Sequence, residues 1–173
     1  MSNQRSGRLQ YAVDERLRAA EIICGVGEAF DGRAIEPRRG FWTLPAGYLE
    51  LGETLEEGAA REAMEEANAG ISIDGILGLF SVARIGQMQV IFRGRFSGPG
   101  APKFSAGPES LEVALFGWDQ IPWDDIAFPT VLWALRAWDV RRSGPLGIPA
   151  GNPPSDPRGV NGMALSPIAE RGL

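Results

Sequence analysis

Glu62, Glu65 and Glu66 stand three and four residues apart, so a helix sets all three carboxylates side by side. Like charges at this spacing destabilise a helix by roughly a few tenths of a kcal/mol per pair. A cation removes that cost. Crowded carboxylate oxygens suit a hard ion such as Mg2+ or Mn2+, which keeps several waters and binds substrate phosphates. The plain alternative is a solvated acidic helix face. That alternative does not account for the glycine loop ahead of the helix, Gly47 to Gly52, nor for Glu53 and the lone Arg61 at fixed distances along the chain.

Elements able to position these groups can be read from the flanking residues. Thr54-Leu55-Glu56-Glu57 is a capping box that starts a helix running to about Asn68. Its inner side is read as Leu55, Ala59, Ala63 and Ala67, with Ala60 and Met64 flanking; small residues let it lie close to a sheet. Asn68 follows, and Asn tolerates the left-handed conformation that ends helices. Ala20 to Val26 reads as a buried strand and Phe41 to Leu44 as a short one closed by Pro45. Ile71 to Arg84 and Gln87 to Phe96 read as two strands joined at Gly86, and Leu111 to Trp118 as another. Phe128 to Arg141 reads as a second helix with Pro129 in its first turn and Val131, Leu132, Leu135 and Trp138 facing inward. Strands and helices in this order imply an α/β (α+β) sandwich, a mixed sheet between helices.

The 173 residues make one domain's worth of chain, and a hydrophobic fraction of 44% suffices for a core. Residues 1–19 read as a mobile lead-in, with a short helix at Val13 to Ala20, and residues 20–142 as the domain. Residues 143–173, dense in Gly, Pro and Ser, read as a disordered tail. The alternative for this tail is a segment packed over the partner of a homodimer. There is no histidine, which removes imidazole bases and ligands. The single cysteine, Cys24, precludes an internal disulfide and a four-cysteine zinc site, and reads as a buried thiol. A net charge of −5 without a basic run argues against nucleic acid as a partner. No apolar run approaches the ~18 residues of a membrane helix, and no signal-peptide core is seen, so a cytoplasmic protein without a membrane partner is expected.

Glycine, five residues, Glu, seven residues, Arg-Glu, an apolar residue, any residue, Glu-Glu: in this form Gly47 to Ala69 resembles the Nudix hydrolase box. Gly47, Glu53, Arg61, Glu62, Glu65 and Glu66 match it. The family's glycine after Glu-Glu is Asn68 here. The resemblance implies Glu62, Glu65 and Glu66 as principal metal ligands, with Gly47 offering its carbonyl and Glu53 supporting the metal shell. Arg61 is read as orienting Glu53 or another carboxylate through a two-pronged pair rather than touching substrate. Divalent ions held there would offset charge on a diphosphate and lower the pKa of a water. A further carboxylate enters such sites from a downstream loop as base or ligand; Glu109 and Glu112 are the candidates, each also readable as an ordinary surface charge.

From Arg33 to Arg142 the chain is similar to the Nudix subgroup of ADP-ribose and FAD pyrophosphatases that carries an N-terminal zinc ribbon. Arg33-Ala34-Ile35-Glu36-Pro37, Gly40 to Gly47, Ile121 to Asp125 and Ala127 to Val131 carry the likeness. It implies cleavage of a nucleoside diphosphate linked to a second moiety, such as ADP-ribose, FAD or NADH, giving AMP. The ribbon's cysteine pairs are absent, so no zinc is expected; the carboxylates point to Mg2+ or Mn2+. Trp42, Phe80, Phe92, Trp118 and Trp123 are aromatics able to stack on a base, though each also suits a core. Substrate-binding residues are left unassigned. Competing readings are a housecleaning nucleoside triphosphate pyrophosphohydrolase, a catalytically weak ligand-binding or regulatory relative, and a structural domain with an acidic helix.

Overall fold

The computed structural model describes residues 7–12, 21–27, 41–108 and 110–159, the first two segments by their main-chain course alone. Among the described residues there are seven strands and two α-helices: β1 (Gly7–Ala12), β2 (Glu21–Gly27), β3 (Trp42–Thr43), β4 (Ala46–Tyr48), α1 (Leu55–Ala67), β5 (Ile71–Val82), β6 (Gln87–Phe96), β7 (Ser110–Phe116) and α2 (Pro129–Arg141). One sheet has the order β4-β2-β6-β5 and the other β3-β1-β7. Pairing is mixed. β5, β6 and β2 run antiparallel to their neighbours in turn, whereas β2–β4, β1–β3 and β1–β7 are parallel. The class is α+β with a mixed sheet.

The helices cover opposite faces because alternate residues of β6 point opposite ways. Val90 and Phe92 pack with Ala59 of α1, and Ile91 joins Leu77, Phe80 and the α2 residues Val131, Trp133, Leu135 and Trp138. Burying each large side chain of this set stabilises the fold by about 1.5–3 kcal/mol. Phe80 lies against Trp133 with ring centroids 5.7 Å apart. Gly58, Ala59, Ala63 and Ala67 are buried in the face of α1 that meets the sheet. These small side chains let the helix approach closely. The β5–β6 connection turns through a 3-10 turn, Ala83–Ile85, and Gly86, whose φ of 66° a glycine adopts freely.

Three expectations are corrected. Leu55 is not on the inner side of α1: it is 36% exposed. As the first helical residue it lies at the end of the contact, and Gly58 and Glu62 are buried instead. Within the lead-in expected to be mobile, Gly7–Ala12 is a strand paired parallel on both sides. Residues 144–159, within the expected disordered tail, run along the outer edge of β5. Ala150 donates to the Leu77 carbonyl (2.9 Å) and accepts from the Leu79 amide (2.8 Å). Asn152 mimics the next main-chain rung, its Oδ1 accepting from Ser81 N and its Nδ2 donating to Ser81 O, both at 2.8 Å. The Ala83 amide donates to Arg158 O at 3.0 Å. Main-chain groups of an edge strand bind another chain segment without needing a hydrophobic pattern in it. The expected helix at Val13 to Ala20, the Arg33 to Gly40 stretch and residues 160–173 lie outside the described residues.

Candidate active site

α1 is fixed at its start by the capping box. Thr54 Oγ1 accepts from Glu57 N (3.2 Å), and the Glu57 carboxylate accepts from Thr54 N (2.8 Å). The Thr54 amide, followed by the Thr54 hydroxyl, holds the Glu57 carboxyl below its ordinary range. One residue earlier, Glu53 closes the loop that leads into the helix: its Oε2 accepts from Glu50 N at 2.9 Å, and its N–H donates to Glu50 O at 3.2 Å. Gly52, with φ of 92°, makes that turn possible.

Arg61 gathers the acidic groups. Its Nε donates to Glu53 Oε1 (2.7 Å) and Nη2 to Glu53 Oε2 (3.2 Å), a two-pronged pair. Nη1 donates to Glu62 Oε1 (2.8 Å) and Glu65 Oε2 (2.9 Å). Nη2 also donates to the Tyr48 carbonyl at 2.9 Å, which ties the end of β4 to the helix. The bond to Glu53 foremost, then those to Glu62 and Glu65, raise the Arg61 pKa against the opposing effect of burial. The same guanidinium, followed by the Glu50 amide, holds the Glu53 carboxyl below its usual range.

Glu62 is 8% exposed, and its carboxylate lies against the Cα of Gly47, where a Cβ would overlap it. Any larger residue there would push the Glu62 carboxylate from its place. Glu65 is exposed over 58% of its side chain. One turn on, Glu66 Oε2 accepts from the Ala46 amide at 2.9 Å. The structure thus brings Gly47, Glu53, Arg61, Glu62 and Glu65 together and sets Glu66 beside the start of β4. Glu112 is exposed on β7 and is not among the groups that Arg61 gathers. Glu109 lies outside the described residues.

The donor set suits a hard divalent cation in kind. Glu53, Glu62, Glu65 and Glu66 against Arg61 leave an excess of three negative charges among these five side chains, and all the donors are oxygen. The Gly47 backbone leaves room for a close approach. In this arrangement Glu62 and Glu65 face Arg61, and among the described residues no three such side chains are grouped as metal coordination requires.

Sequence reasoning did not anticipate the main-chain partners, the Tyr48 carbonyl and Ala46 amide, since backbone groups carry no residue signal. It also did not single out Gly107 and Ser110. Gly107 N donates to Glu66 O at 2.9 Å, and Ser110 Oγ donates to the same oxygen at 2.6 Å. Of the aromatics, Trp42, Phe80 and Phe92 are core residues. Trp118 and Trp123 pack edge to face on each other, 4.9 Å between centroids.

A glycine loop feeding a capped helix, one arginine gathering three carboxylates with a fourth, Glu66, held beside them, and a mixed sheet under the helix together define a class. The family model for the NUDIX domain matches residues 31–134, and the chain belongs to this family. It is 37% identical in sequence to a NUDIX hydrolase from Nitrosomonas europaea of known crystal structure, with a TM-score of 0.61; the match covers 87% of this chain and 78% of that one. A MutT-like protein from Streptomyces ambofaciens is 39% identical over 79 residues, covering 44% of this chain and 51% of the relative. An ADP-ribose pyrophosphatase from Methanocaldococcus jannaschii is 39% identical over 49 residues, covering 28% of this chain and 29% of the relative. The NAD-capped RNA hydrolase NudC from Photorhabdus laumondii subsp. laumondii is 56% identical over 34 residues, covering 20% and 13%. The chain thus spans about half the length of the first of these curated relatives and less of the other two. Among the described residues, no helix is long and apolar enough to cross a membrane.

Proposed function

We propose that this Nudix hydrolase cleaves the pyrophosphate bond of a nucleoside diphosphate linked to a second moiety, of the ADP-ribose, FAD or NADH type, and releases AMP. The observation that carries the diphosphate chemistry is the Arg61-centred cluster, with Glu62 pressed on Gly47 and Glu66 on Ala46. The family uses divalent cations and acts on small nucleotide derivatives. The substrate class is supported by the likeness outside the box and by short matches to proteins named ADP-ribose pyrophosphatase and NAD-capped RNA hydrolase.

In this reading, water adds to one phosphorus and the bond from that phosphorus to the bridging oxygen breaks. The nucleoside monophosphate and the phosphorylated partner depart. Glu62, Glu65 and Glu66, with the Gly47 carbonyl, would hold Mg2+ or Mn2+. Such a cation, when bound, supplies neutralisation of phosphate charge and acidifies water. Arg61 fixes Glu53, Glu62 and Glu65 relative to the Tyr48 carbonyl, and Glu53 closes the turn that brings Gly47 to the helix. Glu112 is proposed as the downstream carboxylate that accepts a proton.

Initial rates across ADP-ribose, FAD, NADH and nucleoside triphosphates, with Mg2+ or Mn2+ and products identified, test the reading. AMP release from the diphosphates ahead of any triphosphate turnover is expected. Pyrophosphate release from triphosphates at clearly higher rates rejects it. No turnover of any substrate by the folded, cation-binding protein would favour the regulatory alternative.

A further inference from the structure

The last turn of α1 carries Glu65 and Glu66, and a helix end leaves its final carbonyls without helical partners. Here a distant loop supplies them. Glu66 O takes Gly107 N (2.9 Å) and Ser110 Oγ (2.6 Å), and Ala67 O takes Ser105 N (2.9 Å). Gly107 lies so close that a Cβ there would overlap the Glu65 carbonyl oxygen. Asn68 completes the contact. It holds the left-handed conformation, φ 47° and ψ 33°, that ends the helix. Its Nδ2 reaches Ser105 Oγ (3.0 Å), Ala106 O (3.2 Å) and Ser105 O (3.3 Å). A glycine at this position would supply the turn and none of these bonds.

We propose that Asn68 and Ser110 are positioning residues, and that Ser105, Ala106, Gly107 and Ser110 form a clamp that sets the placement of Glu65 and Glu66 for their cation. The inference rests on the reading of Glu66 as a metal ligand. Glu66 is held from two sides: its carboxylate by the Ala46 amide at the start of β4, its carbonyl by the loop. Loosening the carbonyl side shifts the Cα from which the carboxylate hangs. Ser110 is buried, so its hydroxyl has no ready replacement by solvent.

Mn2+ binding, followed by the electron paramagnetic resonance of the free ion, tests this on the full chain with N68G, S110A, S110T and E66Q. N68G and S110A are each expected to weaken Mn2+ binding about tenfold, the scale seen when groups that orient metal ligands are removed. Circular dichroism should show both variants folded, and S110T, which keeps the hydroxyl, should bind within twofold of the unaltered chain. Hydrogen exchange at the Ser105 and Gly107 amides should accelerate in N68G. Unaltered Mn2+ affinity in N68G and S110A, alongside weakened binding in E66Q, overturns the clamp while leaving the metal reading intact. Equal weakening in S110A and S110T also overturns it, because the hydroxyl bond would then not be the cause. Unaltered binding in E66Q instead removes the metal reading itself, and the clamp with it.

Discussion

Two segments of this molecule are fastened to the sheet by different forces. The α1 region is held by charge: one guanidinium spans Glu53, Glu62 and Glu65, and a carboxylate caps the helix start. In the segment 144–159, Arg93 and Arg141 tie the carbonyls of Gly144, Leu146 and Ile148, and the rest, residues 150–158, is held by neutral main-chain and amide hydrogen bonds to β5 and Ala83. Charge-assisted bonds are shorter and stronger, and single substitutions or protons break them. An edge ladder is spread over several rungs and, apart from the Asn152 amide, depends little on which side chains carry it. A site proposed to meet a cation and a diphosphate gains from the first kind of fastening. A strap that closes an open edge gains from the second.

The largest effect is expected where the charged region meets its ligand. E65Q and E66Q should each cut turnover by about two orders of magnitude or more, since each removes a charge aimed at the transition state. Thermal unfolding should change little, because glutamine keeps the size and one acceptor. Steady-state kinetics at saturating Mg2+ decide it; near-normal kcat in both variants would remove the proposed site. R61K comes next. Lysine cannot make the two-pronged pair with Glu53 while also reaching Glu62, Glu65 and Tyr48 O. A fall of about ten- to a hundredfold in kcat is expected, with metal affinity falling alongside it. An unaffected R61K would mean that gathering the carboxylates is not what Arg61 contributes.

The neutral region responds in stability. Ending the chain after Gly144 removes the segment that occupies Leu77 O, Leu79 N, Ser81 N, Ser81 O and Ala83 N. Each such bond contributes about 0.5–1.5 kcal/mol net, and part of that returns from water at an exposed edge. A fall in Tm on the order of 10 °C is expected, measurable by calorimetry. An unchanged Tm would mean that the strap adds nothing to the fold and that the two fastenings are not comparable.

The same contrast explains what the chain's letters could reveal. The α1 region was legible because each of its bonds uses a particular side chain at a short, fixed separation: Thr54 with Glu57, Glu53 with Arg61, Arg61 with Glu65. The left-handed end at Asn68 and the turn at Gly86 were legible for the same local reason. The strap was not, since Ala150 and Arg158 take part through main-chain groups that every residue type offers. Asn152, which copies a main-chain rung with its side-chain amide, resembles any loop asparagine in a Gly/Pro-rich stretch. Leu55 misled because helical periodicity fixes a face but not where along the helix the sheet ends. Glu62 was legible as a candidate ligand, while its burial was not legible. Its burial depends on Arg61 and on the bare backbone of Gly47, two partners that only the fold assembles.

The smallest effect separates the two fastenings by pH alone. Glu57 and Glu53 both have carboxyls held below their ordinary value of 4.5, Glu57 by the Thr54 amide and Glu53 by Arg61. A carboxyl depressed in the folded state binds protons more readily once unfolded. Its contribution to stability is therefore complete above 4.5 and is lost as pH falls through the depressed folded value. The strap's bonds to Leu77, Leu79 and Ser81 involve no titrating group. Hydrogen-exchange protection factors, corrected for the intrinsic pH dependence of exchange, should then fall below 4.5 at Glu50 and Thr54, whose amides donate to Glu53 and Glu57. Those at Leu79 and Ser81 should hold over the same range. E57Q gives the control, because its amide can still accept from Thr54 but does not titrate. The Tm difference between E57Q and the unaltered chain should be present at pH 7 and shrink below 4.5. If Ser81 loses protection in step with Thr54, the two regions unfold as one unit, and the charged end does not loosen ahead of the strap.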